Sequence, residues 1–210
     1  MSLWHKLPKW SRFFLLTALC LLLLVSIWVQ QDCASLTFAQ AVHRLESRHL
    51  LEEGHILLRW SYTCALLRTD DQLRAVELSD IQGPLWESRG RLRSTPLEEP
   101  VTLLFLSGLR SANQIRLAGY TALPVSRMEA AITIGDRQDT AQQILLENGA
   151  FVLDFSTMEQ DAYAQAFVLL EQRSYMGLPY DGEKPISIDL FFYDAQDVLL
   201  THYQQQYVGR

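Results

Sequence analysis

The most pronounced pattern in the chain is an apolar run near its N-terminus, from Phe13 to Val29. These seventeen residues contain no charged side chain, and Trp10 and Trp28 stand close to the ends of the run. At about 1.5 Å per residue, a helix of this length spans roughly 25 Å, slightly less than the hydrocarbon core of a bilayer. Tryptophans favour the two membrane interfaces and extend the effective span. The pattern predicts a transmembrane helix over 13–29, with Trp10 and Trp28 at the interfaces.

The charges around this run predict its orientation. Lys6, Lys9 and Arg12 precede it, and the next lysine or arginine is Arg44. Because basic residues beside a membrane span stay on the cytoplasmic side, we expect residues 1–12 to be cytoplasmic and the rest of the chain to lie outside. This is the topology of a single-pass type II protein of the cell membrane.

A cleaved signal peptide is the alternative, because it also combines a basic segment with a leucine-rich run. Signal peptidase requires small residues shortly after the run, and residues 29–32 contain none. Ala39 and Ala41 provide such a site only ten residues later, and cleavage there gives a secreted protein that begins near Val42. We therefore favour an uncleaved signal anchor.

Beyond the anchor, apolar residues recur first at helical spacing. Ser35 or Thr37 precedes them as a possible N-cap. The spacing predicts a helix over 36–51 that ends before Gly54. The residues on its apolar face are Phe38, Ala41, Val42 and Leu45.

The following segment alternates instead, and its apolar positions are Ile56, Leu58, Trp60, Tyr62, Cys64 and Leu66. Alternation predicts one strand over 56–67 with a shared apolar face. On that face Cys64 points inward as a free thiol, which argues against a disulfide with Cys33. A turn at 69–72 then leads into a second strand over 73–78.

Two breaks separate this region from the second half of the chain. Residues 82–84 read Gln-Gly-Pro, and segment 88–100 contains two charge clusters and two prolines. This composition predicts a loop or linker with a domain boundary near residue 97. The exported part is therefore divided into a small α+β module over 30–96, in which antiparallel strands follow a helix, and a second domain over 97–210.

The second domain is predicted to be mainly β. Its β-type runs are Val101–Leu106, Ile115–Tyr120, Ala130–Ile134, Gln143–Leu146, Ala150–Phe155 and Ile186–Tyr193. Asn148 and Gly149 give a strong hairpin signal because both tolerate positive φ, and a second turn is predicted over 193–198. Short strands separated by turns are typical of a β-sandwich-like domain.

Segment 156–172 is ambiguous. Ser156 and Glu159 fit a capping box before a helix, whereas the apolar run over 162–170 also fits a buried strand. The sequence analysis favours the strand.

Composition narrows the functional classes. The chain has 18 lysines and arginines against 24 acidic residues, and three of the cations precede the anchor. An acidic exported region lacks the phosphate contacts that drive nonspecific nucleic-acid binding, so no nucleic-acid partner is expected. Three cysteines are too few for a disulfide scaffold. No motif indicates a cofactor.

Candidate metal and catalytic residues are few. His43, Glu46, His49 and Glu53 could approach one another on the first helix, but two histidines six residues apart lie on different helix faces. We therefore predict no metal site. The Gly-x-Ser-x-Gly elbow of many hydrolases is missing, so we predict no catalytic residue. His55 and His202 are interpreted as surface or hydrogen-bonded histidines, and two acidic pairs as turn residues: Asp136 with Asp139 and Asp194 with Asp197.

Arg89, Arg91 and Arg93 form the sharpest local charge pattern. On an extended chain they project from one face and could bind phosphates of an anionic envelope polymer. The alternative is a solvated loop neutralised by nearby acids: Glu87, Glu98 and Glu99.

The aromatic residues have two readings. Trp60, Tyr62 and Trp86 could line a sugar-binding surface, but the alternation favours packing in the core. Tyr203 and Tyr207 lie in a glutamine-rich C-terminal stretch that is either an edge strand for a partner or a fraying last strand.

These observations favour a membrane-anchored envelope protein that is an interaction or assembly module rather than an enzyme. Its expected partners are the membrane and a protein of the envelope. The alternative is an envelope hydrolase that acts on cell-wall or lipid-linked material through residues that converge only in the fold.

Overall fold

The computed structural model describes residues 8–30, 35, 37–79, 86–87, 89–106, 115–155 and 162–209. The chain forms two compact units, Met1–Glu52 with Leu78–Gly90 and Glu53–Glu77 with Arg91–Arg210. The domain limits of 30–96 and 97–210 stay predictions.

The first unit contains the apolar helix α1 (Lys9–Gln30). Its segment Trp10–Ile27 is long and apolar enough to cross a membrane, and none of that segment is buried within the protein. Thr17 donates its hydroxyl to the carbonyl of Phe13 at 2.9 Å, so the helix satisfies this polar group internally. Trp10 is 79% exposed, whereas the side chain of Trp28 lies outside the described residues.

Helix α2 (Phe38–Arg48) also belongs to the first unit and confirms the predicted helix. The Thr37 hydroxyl caps it by accepting a hydrogen bond from the Gln40 amide at 3.2 Å. The helix ends at His49, earlier than predicted, because Leu50 takes a positive φ of 55°. In the same unit, the rings of Phe38 and Trp86 meet edge to face at 5.2 Å.

The first sheet has the order β1-β2-β3-β4. Its strands are β1 (His55–Arg59), β2 (Cys64–Arg68), β3 (Gln72–Leu78) and β4 (Gly90–Pro96). The turn predicted over 69–72 is confirmed between β2 and β3, where the amide of Thr69 bonds to the carbonyl of Gln72. The Cys64 thiol is free and buried, as predicted.

The single strand predicted over 56–67 is wrong, because the chain turns at residues 60–63 and forms a β1–β2 hairpin. The Ser61 hydroxyl accepts hydrogen bonds from the amides of Thr63 and Cys64 at 3.2 and 3.0 Å. Such local bonds compete with an extended ladder. Tyr62 is consequently 57% exposed instead of lying on the apolar face.

The loop predicted over 88–100 is also partly wrong, because β4 occupies Gly90–Pro96. The strand lies at the edge of its sheet and buries no residue fully. An edge strand needs no apolar alternation, so the composition concealed it.

Two further antiparallel sheets form the second half of the chain. The second sheet has the order β5-β6-β10-β9 and the third β12-β11-β7-β8. Their strands are β5 (Val101–Phe105), β6 (Ile115–Thr121), β7 (Arg127–Ile134), β8 (Arg137–Thr140), β9 (Gln143–Glu147), β10 (Ala150–Phe155), β11 (Ile186–Tyr193) and β12 (Leu199–Tyr207). All six predicted β-type runs are confirmed.

The turns between these strands explain one of the two acidic pairs, Asp194 with Asp197. Asn148 and Gly149 have φ values of 51° and 76°, which confirms the predicted β9–β10 hairpin. Asp194 accepts hydrogen bonds from the amides of Gln196 and Val198 at 2.8 and 2.9 Å and so builds the β11–β12 turn. Asp139 lies on β8 rather than in the predicted turn.

Helix α3 (Ala162–Tyr175) corrects the strand favoured over 156–172. Phe167, Leu170 and Glu171 are buried, and their spacing defines one helix face. A short apolar run cannot separate a buried strand from such a face. Ser156 and Glu159 of the possible capping box lie outside the described residues.

Two apolar clusters hold the sheets together. One combines residues of the second sheet, the third sheet and α3, and it contains Phe151, Phe155, Phe167, Ile132 and Phe192. The other combines residues of the first and second sheets, and it contains Leu66, Leu73, Leu104 and Val152. The second sheet therefore contributes to both clusters.

Candidate functional site

A groove of about 430 Å³ lies where β4, β5 and the end of α3 meet. Strand β4 contributes one wall and β5 the other. The lining residues are Arg93, Ser94, Thr95, Pro96, Leu103, Leu104, Phe105, Glu171, Ser174, Tyr175 and Gly177. We call this site the β4–β5 groove.

The wall formed by β5 is a sheet edge. The Leu106 amide donates to the carbonyl of Arg116 on β6 at 3.0 Å. Hydrogen-bonded and non-bonded positions alternate along an antiparallel pair. The N–H and C=O groups of Leu104 therefore also face β6, whereas those of Leu103 and Phe105 face away from it. Within the described ranges the sheet order gives β5 no strand on that side.

The wall formed by β4 is the edge of the first sheet. The Leu97 amide donates to the carbonyl of Asp71 at 2.8 Å, directly before β3. The same alternation turns the peptide groups of Ser94 and Pro96 away from β3. Proline has no N–H, so of these two groove residues only Ser94 offers a donor, whereas Leu103 and Phe105 on β5 both offer one.

Arg93 connects the three elements of the groove. Its Nη1 donates to the carbonyl of Phe105 on β5 at 3.3 Å. The same guanidinium forms an ion pair with Glu171 of α3, a residue that is only 6% exposed. Burial lowers the pKa of the Arg93 guanidinium, and Arg91 lowers it further, while Tyr175 and Glu77 act in the opposite direction. A buried carboxylate depends strongly on such a partner.

The C-terminal end of α3, which contributes Tyr175 to the lining of the groove, is followed by further exposed apolar residues, and we call this segment the rim. Tyr175 is 75% exposed, Met176 58% and Leu178 44%. Gly177 ends α3 with a φ of 65°, and the amide of Leu178 bonds back to the carbonyl of Arg173 at 2.8 Å. Gly177 thus terminates α3 between the exposed Met176 and Leu178.

Two tyrosines of β12 pack in the first apolar cluster, close to β5. The Tyr207 ring lies 6.1 Å from the ring of Phe105. Burial raises the pKa of Tyr207 well above its usual range, and burial followed by the charge of Glu98 raises the pKa of Tyr203. The C-terminal stretch is thus a paired strand that covers the core.

The three arginines predicted to bind anions have different environments. Arg89 lies 3.6 Å from Glu87, and Arg91 is exposed. Arg93 is the arginine of the β4–β5 groove and is paired with Glu171. Anion binding by the three residues together stays a prediction.

His43 and His49, the two histidines considered for metal binding, have different surroundings. His43 lies 3.4 Å from the buried Glu46, while His49 is exposed. In the part of the chain that the structure describes, no three His, Cys, Asp or Glu side chains come together as a metal site would require. His202 is hydrogen-bonded to Asp189 at 3.0 Å and stacks on Phe191 at 4.3 Å.

Sequence reasoning missed Glu171, Tyr175 and the open edge of β5. The one available signal was a carboxylate among the apolar residues of 162–172. No family model, no curated protein and no solved structure matches the chain.

Proposed function

We propose that the chain is a membrane-anchored protein of the cell envelope that binds a protein partner through the β4–β5 groove. In this proposal α1 is an uncleaved signal anchor of type II topology, and the second and third sheets act as a β-sandwich outside the cytoplasm. The long apolar α1 supports the anchor, and the cations Lys6, Lys9 and Arg12 before the apolar run support the orientation.

The exposed apolar rim is the observation that carries the interaction function. Tyr175 lines the groove and is exposed, and two further exposed apolar side chains, Met176 and Leu178, follow it within three residues of the chain. Contiguous exposed apolar surface marks sites of interaction more than isolated apolar residues do. Tyrosine in particular favours interfaces, because it combines a large apolar ring with a polar tip.

The charges of the groove support binding rather than catalysis. Arg93 and Glu171 are its two ionisable residues besides Tyr175, and they pair with each other. A general acid or base must exchange a proton with a substrate, whereas this carboxylate is held by a guanidinium. The groove is thus built as a structural surface.

Site-specific photo-crosslinking in intact membranes tests this function. A photoreactive amino acid is placed in the full chain at Tyr175 or Met176, and Gln138 on β8 is the exposed control position. We expect the same discrete protein adduct from both rim positions and none from Gln138. Equal adducts at all three positions, or none at the rim, would contradict the proposal.

A further inference from the structure

The outer edge of β5 has main-chain groups that a second strand can use. Leu103 directs an N–H and a carbonyl into the β4–β5 groove, and Phe105 directs its N–H there. The Phe105 carbonyl already accepts a hydrogen bond, but from the side chain of Arg93. A side chain thus occupies a position that a neighbouring strand would fill.

We infer that the groove binds an extended, uncharged segment of the protein partner as an added strand along β5, an inference that rests on the function proposed above. Main-chain hydrogen bonds supply affinity in this mode, and pockets for alternate side chains supply specificity. The incoming strand takes the Phe105 carbonyl from Arg93, while its alternate side chains contact Phe105 and Tyr175.

Strand β5 is the better of the two edges. Pro96 removes a donor from the outer edge of β4, so a strand there would lose a rung of its ladder. Prolines on an edge strand also protect it from pairing with other chains. Strand β4 therefore serves as the far wall of the groove, and β5 serves as the template.

The charge of the groove selects the occupant. Arg93 and Glu171 neutralise each other, so a charged side chain entering between the walls would lose its hydration without gaining a free counterion. An uncharged segment has no such cost. The polar main chain of that segment is satisfied by Leu103 and Phe105.

A single free strand fits better than a second copy of this chain. In a folded copy an edge strand such as β12 is already bonded to β11. Pairing through β12 would bring the whole third sheet against β4, the far wall. A segment with both edges free meets no such obstacle.

Amide hydrogen exchange of the full chain in lipid nanodiscs tests this inference. The probe is the uncharged peptide acetyl-Ser-Val-Thr-Val-Ser-Val-Thr-amide, and the control is the same peptide N-methylated at every residue. In the free chain we expect fast exchange at Leu103 and Phe105 and slow exchange at Leu104. The probe should slow Leu103 and Phe105 at least about tenfold and leave Ser94 unchanged. Unchanged exchange at these two amides, or equal binding of the N-methylated peptide, overturns the inference.

Two variants test the main-chain hydrogen bonds that strand addition requires. Leu103→Pro removes a donor that β6 does not use and should abolish binding of the probe. The double variant Arg93→Met with Glu171→Leu frees the Phe105 carbonyl without leaving a buried charge. One hydrogen bond no longer has to be displaced, so the probe should bind about 2- to 10-fold more tightly. Weaker binding to the double variant would contradict the displacement of Arg93.

The outcomes separate this inference from the proposed function. A partner crosslinked at Tyr175 without protection of Leu103 and Phe105 would overturn strand addition alone. Protection by the probe without any crosslinked partner would instead contradict the proposed function. Protection that rises with protein concentration in the absence of peptide would assign the groove to a second copy and overturn the inference.

Discussion

The chain crosses between the second sheet and its two neighbouring sheets at opposite edges, β9 and β5, and the two crossings are built differently. At one edge the chain crosses from β8 to β9, and both crossing residues keep ladder bonds. Ala141 donates to Ala130 and Gln142 to Asp154, each at 2.9 Å. At the other edge the crossing from β4 to β5 takes residues 97–100, and an arginine side chain bridges the separated strands. The β8–β9 crossing, which we call the backbone junction, is held by ladder hydrogen bonds and needs no further support. The β4–β5 crossing, which we call the side-chain junction, depends on a few residues and leaves a groove.

Loss of the bridging arginine should have the largest effect on stability. Arg93→Met leaves Glu171 buried without its cation, so we expect the free energy of unfolding to fall by about 3–5 kcal/mol. Chemical denaturation of the full chain in detergent measures it. Arg91→Met, two residues away, is the matched control: Arg91 is exposed, so the loss of its surface interaction should change stability by no more than about 1 kcal/mol.

The double variant with Glu171→Leu separates charge from packing. Replacing both members of a buried pair by apolar residues is often neutral or stabilising, so most of the lost stability should return. If Arg93→Met lowers the free energy of unfolding no more than Arg91→Met does, the side-chain junction does not hold the two edges together.

A glycine in the β9–β10 hairpin, at the end of β9 away from the backbone junction, should have an intermediate effect. Gly149 has a φ of 76°, and an added Cβ would lie 2.2 Å from the carbonyl oxygen of Thr121. Gly149→Ala should therefore cost about 2–4 kcal/mol, from the backbone strain together with the clash. Gly177 has a similar φ of 65° but open space around it, so Gly177→Ala should cost only about 1 kcal/mol. Equal losses in thermal unfolding would show that the close contact at β9–β10 is unimportant.

The smallest expected effect is a loss of stability at alkaline pH that comes from Tyr207, which packs beside β5. Tyr207 has a raised pKa in the folded chain because it is buried, so the folded state binds its proton more tightly than the unfolded state does. The stabilisation is complete below the unfolded pKa of about 10 and is lost as the pH rises above it, by about 1 kcal/mol near pH 11. Tyr207→Phe should flatten this loss in unfolding curves, and Tyr175→Phe at the exposed rim should not. Identical curves for both variants would contradict the burial of Tyr207.

Those parts of the fold that depend on local chemistry could be predicted. The hairpin at Asn148 and Gly149 follows from the tolerance of these residues for positive φ, and the alternation of Ile186–Tyr193 follows from one buried sheet face. The turn at Ser61 was missed because hydroxyl-to-amide bonds leave little trace in hydrophobicity. Strand β8 was missed because it is a short, polar edge strand.

The candidate site could not be predicted, because an edge is a property of sheet order. Leu103 and Leu104 look alike in the sequence, yet only Leu103 turns its peptide groups into the groove. Glu171 acquires its partner on β4 only after β4 has been placed, and β4 was read as a loop. The sequence makes Arg93 a candidate for anion binding, whereas in the fold it pairs with Glu171, a carboxylate of its own chain.

The free thiol of Cys64 is a chemical probe of how often the first sheet opens. The side chain is 7% exposed on β2, and its sulfur lies 3.6 Å from the Thr63 hydroxyl. A thiol reagent reaches such a sulfur only during moments when the strands part. The rate of labelling therefore reports how often the sheet opens. A ligand that stabilises β4 would slow the labelling without contacting the cysteine.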